Sequence, residues 1–152
     1  MSEPISEVVV GYDGSDQADK ALHLARRIAP DGATVTVVNA YWLPVEVRAY
    51  EFFEDLRAGF RRMAEETLES AQPAFEGAAL DVRYEAREGH ASEVVRELAS
   101  ERRADLIVMG SRGLGRVRAA IGSTVLDLLH DAPCPVLVAS RGAERHGESA
   151  PS

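Results

Sequence analysis

Unbroken apolar runs alternate along this chain with stretches whose apolar residues recur at helical spacing. Val8-Val9-Val10, within the segment 5–10, is continuous rather than alternating, which suits a strand buried on both faces of a parallel sheet. Ser15 follows a short glycine-containing turn and is a good N-cap. Ala18, Ala21, Leu22, Ala25 and Ile28 then mark one helical face, and Pro30 closes the element. Asp31-Gly32 makes a turn into the β-branched run Thr34 to Ala40, so a β-α-β unit is complete within the length a parallel crossover needs.

The pattern then repeats in looser form. Tyr41-Trp42-Leu43-Pro44-Val45 reads as an aromatic loop. Residues 48–71 read as a long helix with Phe52, Phe53, Leu56, Phe60, Met63, Ala64, Thr67, Leu68 and Ala71 near one face, interrupted near Gly59 and ended by Pro73. Leu80 to Ala86 alternates, as a strand wetted on one side does. After Gly89, with His90 or Ser92 as cap, Val94, Val95, Leu98 and Ala99 form the next helical stripe. Leu106 to Met109 is a fourth strand, Thr124 to Asp131 a fourth helix, and Val136 to Ala139 a fifth strand. Five strands alternating with four helices predict a single doubly wound α/β domain over residues 1–139. The segment 140–152, polar and rich in Gly, Ser and charge, predicts a disordered tail. There is no internal repeat.

Composition narrows the function classes. The 152 residues and 45% apolar content fit one domain with a real core. The net charge of -8 argues against a general nucleic-acid or anionic-membrane surface, which would have to be approached against repulsion. The one cysteine, Cys134, cannot form an internal disulfide, and its Pro133-Cys134-Pro135 setting predicts a buried, unreactive thiol. The N-terminal residues show no signal-peptide pattern, and no apolar run approaches a membrane span, so a cytoplasmic location is expected.

Ligands in open parallel sheets bind beyond the carboxyl ends of the strands, where strand order reverses. The unusual residues of this chain fall there: Gly11 to Ser15 after the first strand, Asn39 to Trp42 after the second, and Gly110 to Thr124 after the fourth. In the order 3-2-1-4-5 the first and fourth strands are neighbours and their glycine loops share one crevice. Glycines let backbone N–H groups approach an anion, and the following helix N-terminus adds donors and a positive dipole end. A plain strand-to-helix connection would explain the same glycines.

Known phosphate signatures fail by residue type. A nucleotide-triphosphate P-loop needs Gly-x-x-x-x-Gly-Lys-Ser/Thr, whereas Gly122-Ser123 has Ile121 before it and no lysine at all, and Gly113-x-Gly115-x-x-Arg118 lacks the third glycine of a dinucleotide fingerprint. Arg112, Arg116 and Arg118 make the loop locally basic in an acidic chain, which fits either a polyphosphate or a solvated turn. Asp13 stands where the crevice is expected and fits either a hydrogen-bond acceptor for a nucleoside or a brace for its loop. His23, His90, His130 and His146 show no metal-ligand spacing. N-capping accounts for Ser15 without a nucleophilic role.

Three ordered stretches resemble the universal stress protein family: Val10-Gly11-Tyr12-Asp13-Gly14-Ser15 with Ala21-Leu22, Gly110-Ser111-Arg112-Gly113 with Gly122-Ser123, and Ala132-Pro133-Cys134-Pro135-Val136-Leu137-Val138. The likeness runs over about residues 5–139. It implies a parallel sheet of order 3-2-1-4-5 with helices on both faces, a cytoplasmic homodimer and, in one branch, ATP binding through Gly-x2-Gly-x9-Gly-Ser/Thr, with Mg²⁺ on the phosphates. On that resemblance Gly110, Gly113, Gly122 and Ser123 hold phosphates and ribose, with Arg112 and Thr124 beside them. Gly11, Tyr12 and Asp13 line the adenosine side, Met109 is counted among the cofactor-binding residues, and Ala40 offers its backbone to adenine. Val136, Leu137 and Val138 would pair with a second copy, as an apolar terminal strand would otherwise leave an open edge. The chain departs from the pattern in one respect. Eight residues, not nine, separate Gly113 from Gly122, which would turn the helix start by about 100° unless the loop absorbs it. The implied function is nucleotide-dependent stress response. A slow ATP hydrolase and an interaction dimer without nucleotide are the alternatives.

Overall fold

The computed structural model describes residues 3–111 and 121–140. Five parallel strands, β1 (Glu7–Gly11), β2 (Thr34–Tyr41), β3 (Asp81–Glu88), β4 (Leu106–Gly110) and β5 (Val136–Ala139), form one sheet in the order β3-β2-β1-β4-β5. Helices α1 (Asp16–Ile28), α2 (Phe53–Glu69), α3 (Ala91–Glu101) and α4 (Ser123–Asp131) connect them. The layout expected from the sequence is the one observed.

The continuous apolar runs are explained by covering on both faces. Successive strand residues point to opposite sides, so Val8 and Val10 pack with Ala18, Ala21, Leu22 and Ala25 of α1 and with Leu68 of α2. Val9, between them, packs with Val94, Val95 and Leu98 of α3 and Leu128 of α4. In β4, Leu106 and Val108 join the first core while Ile107 and Met109 join the second.

α1 begins where expected. The Ser15 hydroxyl accepts the Ala18 N–H at 3.2 Å, Asp16 and Asp19 stand in the first turn, and Arg26 and Arg27 in the last, all favourable to the helix dipole. Cys134, expected to be buried, is only half-buried beside the second core, and desolvation raises its thiol pKa.

The middle of the chain departs from its sequence pattern. The segment 48–71 is not one helix: Val45–Ala49 is a 3₁₀ turn, α2 starts at Phe53, and it runs through Gly59 without a break. Ala64, Leu68 and Ala71 are buried, whereas Phe52, Phe60 and Met63 are exposed. The buried stripe is narrower than the apolar one because α2 packs on β2 and on β3, the edge strand of the sheet among the described residues. Pro73 sits inside a second 3₁₀ turn, Gln72–Phe75, rather than simply ending the helix. β3 extends two residues past Ala86, pairing Ala40 with Arg87 and Tyr41 with Glu88. Among the described residues no helix is long and apolar enough to cross a membrane. Ser140 lies just outside β5, and the remainder of the expected tail lies outside the described residues.

Candidate functional site

The switch point lies between β1 and β4: β1 continues toward β2 on one side, and β4 toward β5 on the other. Two loops leave the carboxyl ends of these neighbouring strands, and several contacts sew them together. Gly110, the last residue of β4, lies directly against the first turn of α1. A Cβ built on it would stand 2.6 Å from the Gln17 carbonyl carbon, 2.7 Å from its oxygen and 2.9 Å from the Ala18 nitrogen. Glycine is required there for a reason the motif does not reveal, the close approach of a helix backbone. The buried Ser111 hydroxyl donates to Gln17 Oε1 at 3.2 Å, and the Ser111 N–H donates to the Ala139 carbonyl at 2.9 Å.

The other end of the β4–α4 connection returns to the same place. The Gly122 N–H donates to the Ser111 carbonyl at 2.7 Å, closing the base of the loop. Gly122 is the N-cap of α4, with φ −74° and ψ 159°, and as a glycine it supplies no side-chain cap. Ser123 and Thr124 open its first turn, where backbone N–H groups have no intrahelical acceptor. Such an end, with its dipole, is suited to an anion. Arg112 and Gly113, both site candidates, lie outside the described residues, as do Arg116 and Arg118.

The β1–α1 loop is equally well braced. Gly14 adopts φ +82°, a conformation that favours glycine, and the Ser15 N–H donates to Asp13 Oδ1 at 3.0 Å. The half-buried Asp13 carboxylate therefore holds its own turn. Tyr12 turns its side chain inward: it is buried in the first core, and its hydroxyl donates to Asp19 at 2.9 Å and lies 3.0 Å from the Ser70 hydroxyl. Burial is the main reason its phenol pKa is raised. Its backbone, by contrast, is fixed at the strand ends, with the N–H on the Val38 carbonyl at 2.9 Å and the carbonyl accepting from Asn39 Nδ2 at 2.8 Å.

Gly11 abuts Met109, the residue before Gly110: a Cβ on Gly11 would fall 2.4 Å from the Met109 sulfur. Ala40 lies at the carboxyl end of β2, packed beside the second core. The structure thus brings Gly11, Tyr12, Asp13, Met109, Gly110, Gly122, Ser123 and Thr124 to the ends of β1 and β4, with Ala40 one strand over. Asn39, Ser111 and Gln17, which tie the loops together, are not among the site residues the sequence suggests. A signal for Asn39 is nonetheless legible, an amide inside an otherwise apolar and β-branched strand. Nothing in the sequence marks Gln17. Among the described residues, no group of three or more His, Cys, Asp or Glu side chains is arranged to hold a metal ion.

The chain resembles known proteins over almost its entire length. It is 36% identical over 133 residues to the universal stress protein in the QAH/OAS sulfhydrylase 3′ region of Thermus aquaticus, covering 86% of this chain and 96% of that one. The fold superposes on a universal stress protein from Lactobacillus plantarum with a TM-score of 0.74 at 21% identity, covering 91% of this chain and 99% of that one. A universal stress protein in complex with cAMP matches with a TM-score of 0.59 at 27% identity, covering 90% of this chain and 97% of that one. The Archaeoglobus fulgidus universal stress protein in complex with dAMP matches with a TM-score of 0.57 at 27% identity, over 90% and 98% of the two chains. The model of the universal stress protein family matches residues 4–140, and with the sheet order and the two switch-point loops this establishes that the chain belongs to that family.

Proposed function

We propose that this chain binds ATP at the carboxyl ends of β1 and β4 and acts as a nucleotide-dependent regulatory dimer in the cytoplasm. The observation that carries this reading is the closed base of the β4–α4 loop. The Gly122 N–H donates to the Ser111 carbonyl, and Ser111 is itself bonded to Gln17, so both ends of the loop are held beside α1. The Gly122–Ser111 hydrogen bond thus seats the start of α4 beside the end of β4.

In this reading the N–H groups of Ser123 and Thr124, with Gly113 and Arg112, take the phosphates. Gly11, Asp13 and Met109 flank the nucleoside, and the Ala40 backbone meets the base. Mg²⁺ would arrive on the phosphates and neutralise part of their charge. Two structural relatives are complexes with adenine nucleotides, cAMP and dAMP, which supports an adenine ligand for this site as well.

Calorimetry of nucleotide-stripped protein with Mg²⁺ and either ATP or AMP tests the phosphate assignment. ATP is expected to bind more tightly than AMP. Equal affinities would refute a phosphate-reading role for the loop and α4.

For the dimer, Val136, Leu137 and Val138 are only half-buried at the sheet edge, and Leu126 and Leu129 of the adjoining α4 are exposed. Pairing of β5 with its copy would cover this edge. Sedimentation should show a dimer at micromolar concentration that Leu137→Arg converts to monomer. A monomeric wild-type chain would contradict the pairing.

A further inference from the structure

Just beyond the ends of β2 and β3, Trp42 and His90 form a ring pair that the ATP motif does not include. The carbonyl of Tyr41 accepts the Gly89 N–H at 2.8 Å. Trp42 follows the first of these residues and His90 the second, so this one hydrogen bond sets the two side chains next to each other. Their ring centroids are 4.7 Å apart with planes inclined by 31°. The turn that delivers His90 is itself fixed. Gly89 has φ +142°, and a Cβ on it would stand 2.9 Å from Val94 Cγ2. His90 is the N-cap residue of α3, which packs on β1, β2 and α4.

Trp42 nevertheless remains 44% exposed. A tryptophan in contact with another ring and nearly half exposed is a stacking surface for a flat heterocycle. Its position suits the base of a nucleotide whose phosphates sit at α4. From β4 across β1 to β2 is two strand spacings, about 10 Å, a reach that an extended nucleoside phosphate makes.

We infer that Trp42, backed by His90, is the platform on which the purine base of the bound nucleotide stacks, and that it gives this site a preference for purine over pyrimidine nucleotides. The inference rests on the nucleotide reading above. Its physical basis is contact area: a two-ring base covers more of the exposed indole than a one-ring base does, and stacking tolerates any base with a π-face but scales with overlap.

Trp42 is the only tryptophan in the chain, so its fluorescence reports on the platform directly. The experiment titrates the full chain with Mg²⁺–ATP, Mg²⁺–CTP and inorganic triphosphate, following tryptophan emission and, by equilibrium dialysis, binding itself. Wild type, Trp42→Phe and Trp42→Ala are compared, with circular dichroism confirming that each is folded. ATP should change the emission. Trp42→Ala should lose about 5- to 150-fold in ATP affinity, the range of one base–aromatic stack, and less in CTP affinity. Trp42→Phe should retain most of the affinity, and triphosphate should bind all three alike. Dialysis showing equal ATP binding by wild type and Trp42→Ala, with unchanged wild-type emission, would overturn the platform and leave the nucleotide reading standing. If wild type bound triphosphate but showed no added affinity for ATP, the base would make no contact and the platform would also fall. Absence of any binding would defeat the nucleotide reading itself, and this inference with it.

Discussion

Replacing Gly110 with alanine should distort the junction on which the site is built. The added methyl would lie 2.6–2.9 Å from three backbone atoms of Gln17 and Ala18. None of these is the free end of a side chain, so the first turn of α1 and the end of β4 must move apart. Overpacking of this kind costs about 1–3 kcal/mol. Gly110 is not among the glycines with positive φ, so backbone conformation adds no penalty of its own. Gly59 provides the matched control. It lies within α2, a methyl added to it would meet no atom within 4 Å, and it too lacks a positive φ. Gly59→Ala should therefore stabilise by about 0.5–1 kcal/mol through helix propensity. For a chain of this size 1 kcal/mol corresponds to about 2–4 °C in Tm. Gly110→Ala should thus melt about 2–12 °C below wild type and Gly59→Ala about 1–4 °C above it, as read by calorimetry or circular dichroism. Equal Tm values for the two variants would refute the claim that α1 is seated directly on Gly110.

Asn39→Ala removes the buried amide that holds the Tyr12 carbonyl at 2.8 Å. It should cost about 1–3 kcal/mol in urea unfolding and speed amide exchange in the Asp13–Ser15 turn. Unchanged exchange there would show that the turn does not depend on β2. Asp105 accepts the Ser6 N–H at 2.8 Å, the Glu7 N–H at 3.0 Å and the Ser6 hydroxyl at 3.1 Å, so it joins the start of β4 to the start of β1. The backbone donors at Ser6 and Glu7 are the principal causes that lower its pKa from the usual 3.8. The folded state therefore favours the ionised form: the stabilisation is complete above the unfolded value and is lost as pH falls through the lower native one. Because the group is exposed and screened, Asp105→Ala should cost only about 1 kcal/mol at neutral pH, and the gap to wild type should close in acid. A gap independent of pH would contradict the assignment.

The alternation of strands and helices was legible because β1 and β4 carry the apolar runs, and β2 the β-branched run, that double-sided burial favours, and Ser15 and Pro30 mark the ends of α1, whereas the sheet order came from the family resemblance. The region between β2 and β3 is harder to read. Phe52, Phe60 and Met63 fall near the face that carries Ala64 and Leu68, yet α2 rests on an edge strand that covers too little to bury them all. At the site, the motif marks the glycines but not all their reasons. Gly110 has the packing role just described, and Tyr12, expected to face a nucleoside, anchors its loop by a phenol buried toward α1 and α2. Such reasons depend on contacts between residues distant in sequence, Gly110 with Gln17 and Tyr12 with Ser70, which no local pattern encodes.

The ATP site proposed for this chain lies between the two loops at the switch point. Equilibrium dialysis of the nucleotide-stripped full chain against Mg²⁺–ATP tests it most directly. Saturable binding of one ATP per chain is the predicted result, and absence of binding at millimolar ATP would contradict the account.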